Sequence, residues 1–227
     1  MIHFYFFLVG SIVASFLGLV VDRFPEQSII VPSSHCNTSG QKLTPRDLVP
    51  ILSQLINRLR CRFCGEKIPI RYILLELTGG CLFLVTSLGY LNINQLILLV
   101  SGMTLSLYDQ RHQEYPLLIW LFSHVLLLFL TGFNLLMAIF LALGILTHFI
   151  DLRIGAGDFL FLASCSAIFN LTEVLLVLQI SSIIGLFLFC LKSRKDRLAF
   201  IPCLFGASSI LILIKFVVFH QNILCLI

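Results

Sequence analysis

The sequence LLIWLFSHVLLLFLTGFNLLMAIFLALGIL, residues 117–146, decides the fold class of this chain. It contains no Asp, Glu, Lys or Arg, and its apolar residues run on without the period-two alternation of strands in a membrane barrel. A helix rises about 1.5 Å per residue, so the hydrocarbon core of a bilayer, about 30 Å thick, takes roughly 20 residues. The stretch therefore predicts two membrane helices joined near Gly132.

The composition of the whole chain agrees with a membrane environment. Of its 227 residues, 59% are hydrophobic and 11% are charged, whereas soluble domains have about 45–50% and about 25%. The mean hydropathy is +1.03, and a soluble fold of this size could not bury that much apolar surface. A formal net charge of +4 gives little basis for binding nucleic acid through phosphate contacts. We therefore predict contact with membrane lipid and no nucleic acid partner.

Eight apolar segments are long enough, or nearly so, to cross a bilayer. They are residues 2–21, 72–90, 92–108, 116–132, 134–151, 158–172, 174–191 and 201–221. The sequence thus predicts an all-α polytopic membrane protein with about eight transmembrane helices and one small cytoplasmic insert. The predicted domains are a first transmembrane helix (1–21), the polar insert (22–71) and a membrane core (72–227).

The basic residues predict the orientation in the membrane, because Lys and Arg concentrate in cytoplasmic loops. If the helices thread alternately, every Lys and Arg except Lys215 falls on one side, in residues 22–71, at Arg111 and Arg153, and in residues 192–197. We therefore expect the N-terminus outside and the insert in the cytoplasm. The first segment lacks a basic start and a clear small-residue cleavage site, which indicates a retained anchor and not a removable signal peptide.

Two aspartates at predicted cytoplasmic helix ends are candidate catalytic residues. Asp158 follows Gly155 and Gly157 closely, and two glycines leave room for another backbone, such as that of an extended substrate. Asp109 ends the third segment, ahead of a short polar loop that contains a proline. Two carboxyl groups held together tend to share one proton, so that one serves as an acid and the other as a base. Asp151 is an alternative second acid, and each aspartate alone is also explained as a solvated helix end.

A series of short motifs runs through nearly the whole chain. They are Ala14-Ser15-Phe16-Leu17, Arg23, Ser34-His35-Cys36, LTPRDLVPILS (43–53), Cys61-Arg62-Phe63-Cys64-Gly65, Ile70-Arg71-Tyr72, Glu76-Leu77-Thr78-Gly79, Asp109, the stretch from Gly155 to Asp158, and Phe200-Ile201-Pro202. In this combination they resemble the prepilin peptidases, membrane aspartic proteases of the GxGD class. The compact length is similar to that of the late-competence peptidases of Gram-positive bacteria, whose substrates are pseudopilins of the DNA-uptake machinery.

The resemblance implies an intramembrane aspartic endopeptidase of the bacterial cell membrane, which removes the leader from type IV pilin-like precursors at the cytoplasmic face. By motif, Asp109 and Asp158 are its catalytic aspartates, and we expect Gly155 and Gly157 to border the bound substrate. Proteolysis of this kind requires no cofactor. Many relatives also methylate the new N-terminus with S-adenosylmethionine. That activity is left open here, because Gly18 stands where the family commonly has Asn.

Three cysteines of the insert are candidate metal ligands. Cys61 and Cys64, followed by a glycine, have the spacing of half a zinc knuckle. The family often completes the site with an earlier Cys-x-x-Cys, where this chain has Cys36 and, at the expected fourth cysteine, Ser39. A zinc site built on Cys36, Cys61 and Cys64, with His35 as an alternative fourth ligand, is therefore a hypothesis.

Two other functions fit part of the sequence. Acidic residues within membrane segments often mark proton or ion pathways, which would suit an ion- or proton-coupled transporter. Such acids are expected near the middle of the bilayer, whereas Asp109 and Asp158 are predicted at one boundary. A third hypothesis is a scaffold whose insert recruits a partner and whose aspartates are only solvated helix ends. Mutation of the two aspartates separates these functions from a peptidase.

Overall fold

The described part of the chain is built from helices. The computed structural model describes residues 1–36, 38–147, 149–150, 154–191 and 199–224. Within these residues lie nine α-helices and one short 3-10 helix, with no β-strand and only two isolated antiparallel bridges. The chain forms two compact units, Met1–Leu91 and Asn92–Ile227. The predicted division into three domains stays a prediction.

In the first unit, helix α1 (Ile2–Arg23) packs along helix α3 (Arg71–Ser87). A Cβ on Gly10 would lie 2.5 Å from the carbonyl oxygen of Gly79, and a Cβ on Gly79 would overlap that of Ala14. Two helix backbones approach this closely only where side chains are absent or small. The small residues of both helices therefore determine how α1 and α3 pack.

Between α1 and α3, the insert contains a 3-10 helix (Pro45–Leu48) and the short helix α2 (Leu52–Ile56). Thr44 caps the 3-10 helix, since its hydroxyl and its backbone N–H donate to Asp47 Oδ2 at 2.6 and 3.1 Å. Arg62 adds an ion pair, with its Nε 3.6 Å from Asp47 Oδ1. The hydrogen bond from the Thr44 hydroxyl holds the pKa of Asp47 below its ordinary value, and the positive charge of Arg62 has a smaller effect in the same direction. The insert thus has defined local structure.

The second unit consists of the remaining helices. They are α4 (Ile93–His112), α5 (Leu117–Thr131), α6 (Leu135–Leu146), α7 (Ala156–Cys165), α8 (Leu171–Leu191) and α9 (Ile201–Leu224). Gly132, with φ +79°, follows α5, and the Asn134 side chain accepts a 2.7 Å hydrogen bond from the Met137 N–H at the start of α6. Helix α9 packs on α4, α7 and α8, while α7 also contacts α4, α5 and α6. The helices α4, α7 and α9 therefore contact one another, and the predicted aspartates lie on two of them.

Each of the eight predicted membrane segments overlaps one of the helices α1 and α3–α9, so the all-α architecture is confirmed within the described residues. Three helical segments are long and apolar enough to cross a membrane: Ile2–Arg23, Leu171–Leu191 and Ile201–Val218. Helices α5, α6 and α7 are also apolar but have only 15, 12 and 10 residues. Ten residues rise only about 15 Å. The count of about eight spans therefore stays a prediction.

Helix boundaries differ from the predicted ones near residue 170. The predicted segment 158–172 is helical only as far as Cys165, and α8 already begins at Leu171. The Glu173 side chain accepts the backbone N–H of Asn170 at 3.1 Å, which stabilises this earlier start. The predicted residues that lie outside the described part are Asp151, Arg153 and residues 192–197.

Candidate active site

Asp109 lies in the last turn of α4, half-buried and beside the start of α9. Its Oδ2 accepts a hydrogen bond from the backbone N–H of Ile201 at 3.3 Å. That N–H belongs to the first turn of α9 and has no carbonyl partner inside its own helix, so a carboxylate is a favourable partner. A helix that is distant in sequence therefore helps to hold the Asp109 side chain in place.

Asp158 lies half-buried in the first turn of α7, whose N-cap is Gly155. The Asp158 N–H donates to the Gly155 carbonyl oxygen at 3.1 Å. A Cβ on Gly155 would lie 3.3 Å from Asp158 Oδ2, so the glycine leaves room for the carboxylate to fold back over the helix N-terminus. Negative charge is favoured there, because the first N–H groups of a helix carry partial positive charge.

The packing of α4 against α7 brings the two predicted aspartates together. Asp109 is near enough for its negative charge to act on Asp158. Two half-buried carboxyl groups that interact repel each other when both are ionised, which favours the protonated form of one of them. The structure therefore brings the two carboxyl groups near enough to interact, and their roles as catalytic acid and base stay a prediction.

The space beside Gly157 is filled by the ring of Tyr115, which belongs to the loop between α4 and α5. A Cβ on Gly157 would lie 2.7 Å from Tyr115 Cγ and 3.0 Å from its Cε2, so only glycine fits here. From the sequence, we expected this room to receive a substrate backbone. In the structure a side chain of the same chain lies there, and the predicted role of Gly157 in substrate binding stays a prediction.

Tyr115 was not predicted from the sequence as a residue of this site. Its hydroxyl oxygen is buried and has no hydrogen-bond partner among the described residues. Burial raises the pKa of Tyr115 well above its ordinary value, and the negative charges of Asp158 and Asp109 raise it further. The one signal available in the sequence was a tyrosine directly before Pro116, in the loop that follows a candidate catalytic aspartate.

The insert holds two turns of the same design, residues 36–41 and 61–66. In each, the N–H of the first residue bonds the carbonyl oxygen of the sixth, at 2.9 and 2.8 Å, and the N–H of the fifth bonds the carbonyl oxygen of the first, at 2.8 Å. The fifth residue is a glycine with positive φ, Gly40 at +66° and Gly65 at +72°, a conformation that glycine adopts readily. An antiparallel bridge flanks each turn.

The two turns bring the thiols of Cys36, Cys61 and Cys64 together. Their Sγ atoms all lie within 4.8 Å of one another, and those of Cys36 and Cys64 are 3.6 Å apart. Tetrahedral zinc with bonds of about 2.3 Å to sulfur places two sulfurs roughly 3.8 Å apart, so the three thiols fit three ligand positions. Ser39 has the place in its turn that Cys64 has in the other. Hydrogen bonding from Ser39 lowers the pKa of the Cys36 thiol to about 6, which favours the thiolate that zinc binds.

His35, the alternative fourth ligand, is not part of this group of thiols. Its Nδ1 lies 3.0 Å from the carbonyl oxygen of Ser33. The described residues of the insert therefore offer a set of three sulfur ligands.

Glu76 is a second residue whose role the sequence did not reveal. It lies in α3 with only 4% of its surface exposed. Its Oε1 accepts a hydrogen bond from the Ser15 hydroxyl of α1 at 2.7 Å. Its Oε2 accepts from the Ile51 N–H at 2.7 Å and from Gln54 Nε2 at 2.8 Å. One carboxylate thus connects α1, α2 and α3. The available sequence signal was an acidic residue inside a predicted membrane segment.

Comparison with known proteins shows which family the first unit resembles. Residues 8–90 match the model of the Bacterial Peptidase A24 N-terminal domain. The "Prepilin leader peptidase/N-methyltransferase" of Myxococcus xanthus is 45% identical to this chain over 80 residues, 35% of this chain and 24% of the relative. The resemblance to the prepilin peptidases is confirmed. The Bacillus subtilis protein of the same name is 38% identical over 85 residues, which are 37% of this chain and 34% of the Bacillus protein.

A longer match reaches into the second unit. The Neisseria gonorrhoeae "Prepilin leader peptidase/N-methyltransferase" is 25% identical over 225 residues, 79% of this chain and 78% of that prepilin peptidase. The matches to the Myxococcus and Bacillus relatives span only a quarter to a third of those proteins. No solved structure gives a significant match. The matched A24 domain includes Glu76 and the three cysteines, whereas Asp109 and Asp158 follow it in the chain.

Proposed function

We propose that this protein is an intramembrane aspartic endopeptidase that removes the leader peptide from type IV pilin-like precursors. The observation that carries the proposal is the meeting of Asp109 and Asp158 at the ends of the packed helices α4 and α7. The names of the Myxococcus and Bacillus relatives, prepilin leader peptidases, point to the class of substrate.

The chemistry follows from two carboxyl groups that share one proton. The ionised aspartate takes a proton from a water molecule, whose oxygen adds to the scissile carbonyl carbon. The protonated aspartate donates a hydrogen bond to the carbonyl oxygen and makes the carbon more electrophilic. The carbon–nitrogen bond then breaks, and the nitrogen takes up a proton as it leaves as an amine. Asp109 and Asp158 together supply both proton steps.

We place this site at the cytoplasmic boundary of the bacterial cell membrane, in a chain of about eight spans with its N-terminus outside. A pilin-like precursor carries a long apolar helix, and a protease at the boundary cleaves it without extracting that helix from lipid. Gly155 and Gly157 border the extended segment of the precursor.

No cofactor takes part in the proposed proteolysis, and the metal has a structural role. Cys36, Cys61 and Cys64 hold a zinc ion that joins the two turns of the insert. Equilibration of the purified protein with zinc, followed by measurement of bound metal, tests this. Protein that retains no stoichiometric zinc after removal of free metal contradicts the site.

S-adenosylmethionine is a cosubstrate only if the methylation named for the relatives is retained. In the structure Gly18 is buried between α1 and α3, and a Cβ there would lie 2.8 Å from Leu75 Cδ2. An Asn at this position would therefore require the Leu75 side chain to shift. We propose proteolysis as the activity and leave methylation to the mass measurement described next.

The experiment is co-expression with pilin-like precursors, followed by mass measurement of the mature N-terminus. We expect the wild-type protein to release the leader, and the measured mass also shows whether a methyl group is added. Asp109→Asn and Asp158→Asn each remove one ionisable group while keeping its shape, so each should abolish cleavage at unchanged protein abundance.

A matched control is Glu114→Gln, which makes the same kind of change in an exposed acid of the α4–α5 loop. Glu114→Gln should process the precursor normally. Normal processing by either aspartate variant refutes the proposed pair and returns the protein to the transporter or scaffold hypotheses.

A further inference from the structure

The hydroxyl of Tyr115 is a buried polar group that the mechanism above does not use. Its oxygen has no hydrogen-bond partner within the part of the chain that the structure describes. A buried hydroxyl without a partner lowers stability, so such groups are uncommon and call for a reason. Phenylalanine would fill the same volume without that cost. The hydroxyl itself, and not only the ring, therefore needs an explanation.

The Tyr115 side chain packs against α7 and is carried by the short loop between α4 and α5. The ring lies against Gly157 in the first turn of α7, where even a Cβ would displace it. The loop that carries it begins at Gln113, with φ +53°, and ends at Pro116, directly before α5. The charges of Asp158 and Asp109 both act on Tyr115. Tyr115 is therefore near enough to both candidate catalytic aspartates to feel their charges, and it lies in the short loop between α4 and α5.

The chemistry of the phenol at this place is that of a donor. Burial and the neighbouring carboxylates raise its pKa well above the ordinary value, so it keeps its proton wherever the carboxyl groups titrate. A neutral phenol can donate a second hydrogen bond to the carbonyl oxygen, in addition to the one from the protonated aspartate. When water adds to the peptide carbonyl, the oxygen takes the electron pair of the π bond and becomes negative.

We propose that the Tyr115 hydroxyl donates a hydrogen bond to this oxygen and stabilises the tetrahedral intermediate. The proposal rests on the proposed peptidase function. The phenol keeps its proton throughout: when the intermediate collapses, the electron pair re-forms the carbonyl, the carbon–nitrogen bond breaks, and the proton of the leaving amine comes from the aspartate pair. Tyr115 thus contributes charge stabilisation, while Asp109 and Asp158 move protons.

The test is Tyr115→Phe, measured on cleavage of a pilin-like precursor by the purified full-length protein. Loss of one donor to an oxyanion typically lowers kcat by about 10²-fold to 10³-fold. We expect a kcat loss of that size with KM changed little. The melting temperature should be equal or higher, because the variant removes a buried group that has no partner. Tyr5→Phe, at a side chain that is 59% exposed, is the matched control and should leave both values unchanged.

The pH profile separates a donor from a positioning residue. Loss of a donor that does not titrate lowers the maximum of the plot of kcat against pH and leaves its acidic and basic limbs at the same pH. Loss of a residue that acts through Asp158 instead shifts one of these limbs along the pH axis. A moved limb, a lowered melting temperature, or cleavage within twofold of wild type overturns the inference. If Tyr115→Phe is fully active while Asp109→Asn and Asp158→Asn are inactive, only the inference fails. If the aspartate variants cleave, the proposed function fails.

Discussion

At Gly157, one added carbon atom should change activity. In Gly157→Ala the new Cβ would lie 2.7 Å from Tyr115 Cγ, so the ring has to move. A shift of about 1 Å near reacting atoms can cost about 10²-fold in rate. We expect Gly157→Ala to lower kcat by about 10-fold to 10²-fold, measured on precursor cleavage at saturating substrate.

The matched control is Gly206→Ala in α9. Its new Cβ would meet only Ile184 Cδ1, at an ordinary contact distance of 3.9 Å. This variant should keep full activity. Equal rates for Gly157→Ala and the wild-type protein would show that the position of the Tyr115 ring does not matter for cleavage.

Single residues differ in how far the sequence predicts them. Asp109 and Asp158 could be predicted as functional residues from the sequence, because a carboxylate near lipid is energetically unfavourable and is often retained for function. Their approach to each other follows from the contact between α4 and α7, which no local pattern encodes. Tyr115 was missed for the same reason, since its significance comes from contact with Gly157 on a different helix. Ser39 was recognised in the sequence at the place of a fourth cysteine, whereas its hydrogen bonding to Cys36 is visible only in the structure.

At the scale of helices, α1 and α3 depend on close backbone contact. Gly79→Leu places a large side chain where even a Cβ would overlap Ala14. Overpacking of this kind typically costs about 1–3 kcal/mol. We expect a loss of that size in the free energy of unfolding, measured by thermal or denaturant unfolding of the purified protein in detergent.

The control for this variant is Cys81→Leu, which introduces the same side chain at an exposed position of the same helix. It should unfold like the wild-type protein. If both variants lose the same amount of stability, the cause is the added side chain in general, and the proposed close contact between Gly10 and Gly79 is not the reason.

Local sequence patterns predict the apolar helices but not the fold of the insert. Runs of apolar residues predicted helices α1 and α3–α9, because a chain in lipid must satisfy its backbone groups internally. They gave no account of how the insert folds. Glu76 accounts for part of it: the carboxylate binds the Ile51 N–H, and Ile51 has φ +61°, which a β-branched residue rarely adopts. This strained residue and its partner are far apart in sequence.

For the whole molecule, the membrane character was predictable from composition, while the number of spans was not. The number of spans depends on helix length, which composition does not give. Helices α1, α8 and the first part of α9 are long enough to cross a bilayer, whereas α5, α6 and α7 are shorter than the usual hydrocarbon thickness requires. Short helices can be accommodated by local thinning of the bilayer or by flanking polar side chains. Segment hydropathy alone does not show which solution a chain uses.

The predicted orientation of the whole chain is based on the positions of its charged residues. Every Lys and Arg except Lys215 belongs to the predicted cytoplasmic side. The structure accounts for the exception, because Lys215 Nζ lies 2.8 Å from Glu173 Oε1. Residue Glu173 was predicted at an outer turn. The pair is close to neutral, so Lys215 does not oppose the predicted orientation.

Labelling with a membrane-impermeant maleimide in right-side-out vesicles tests this orientation. The natural thiols of the insert, among them the exposed Cys64, should stay unlabelled until the vesicles are permeabilised in the presence of a chelator. A cysteine introduced by Phe133→Cys, at a side chain 66% exposed between α5 and α6, should be labelled without permeabilisation. The unsubstituted chain provides the background, and peptide masses locate the label. Labelling of Cys64 in sealed vesicles, with Phe133→Cys protected, would reverse the topology and put the two aspartates on the side away from the leader.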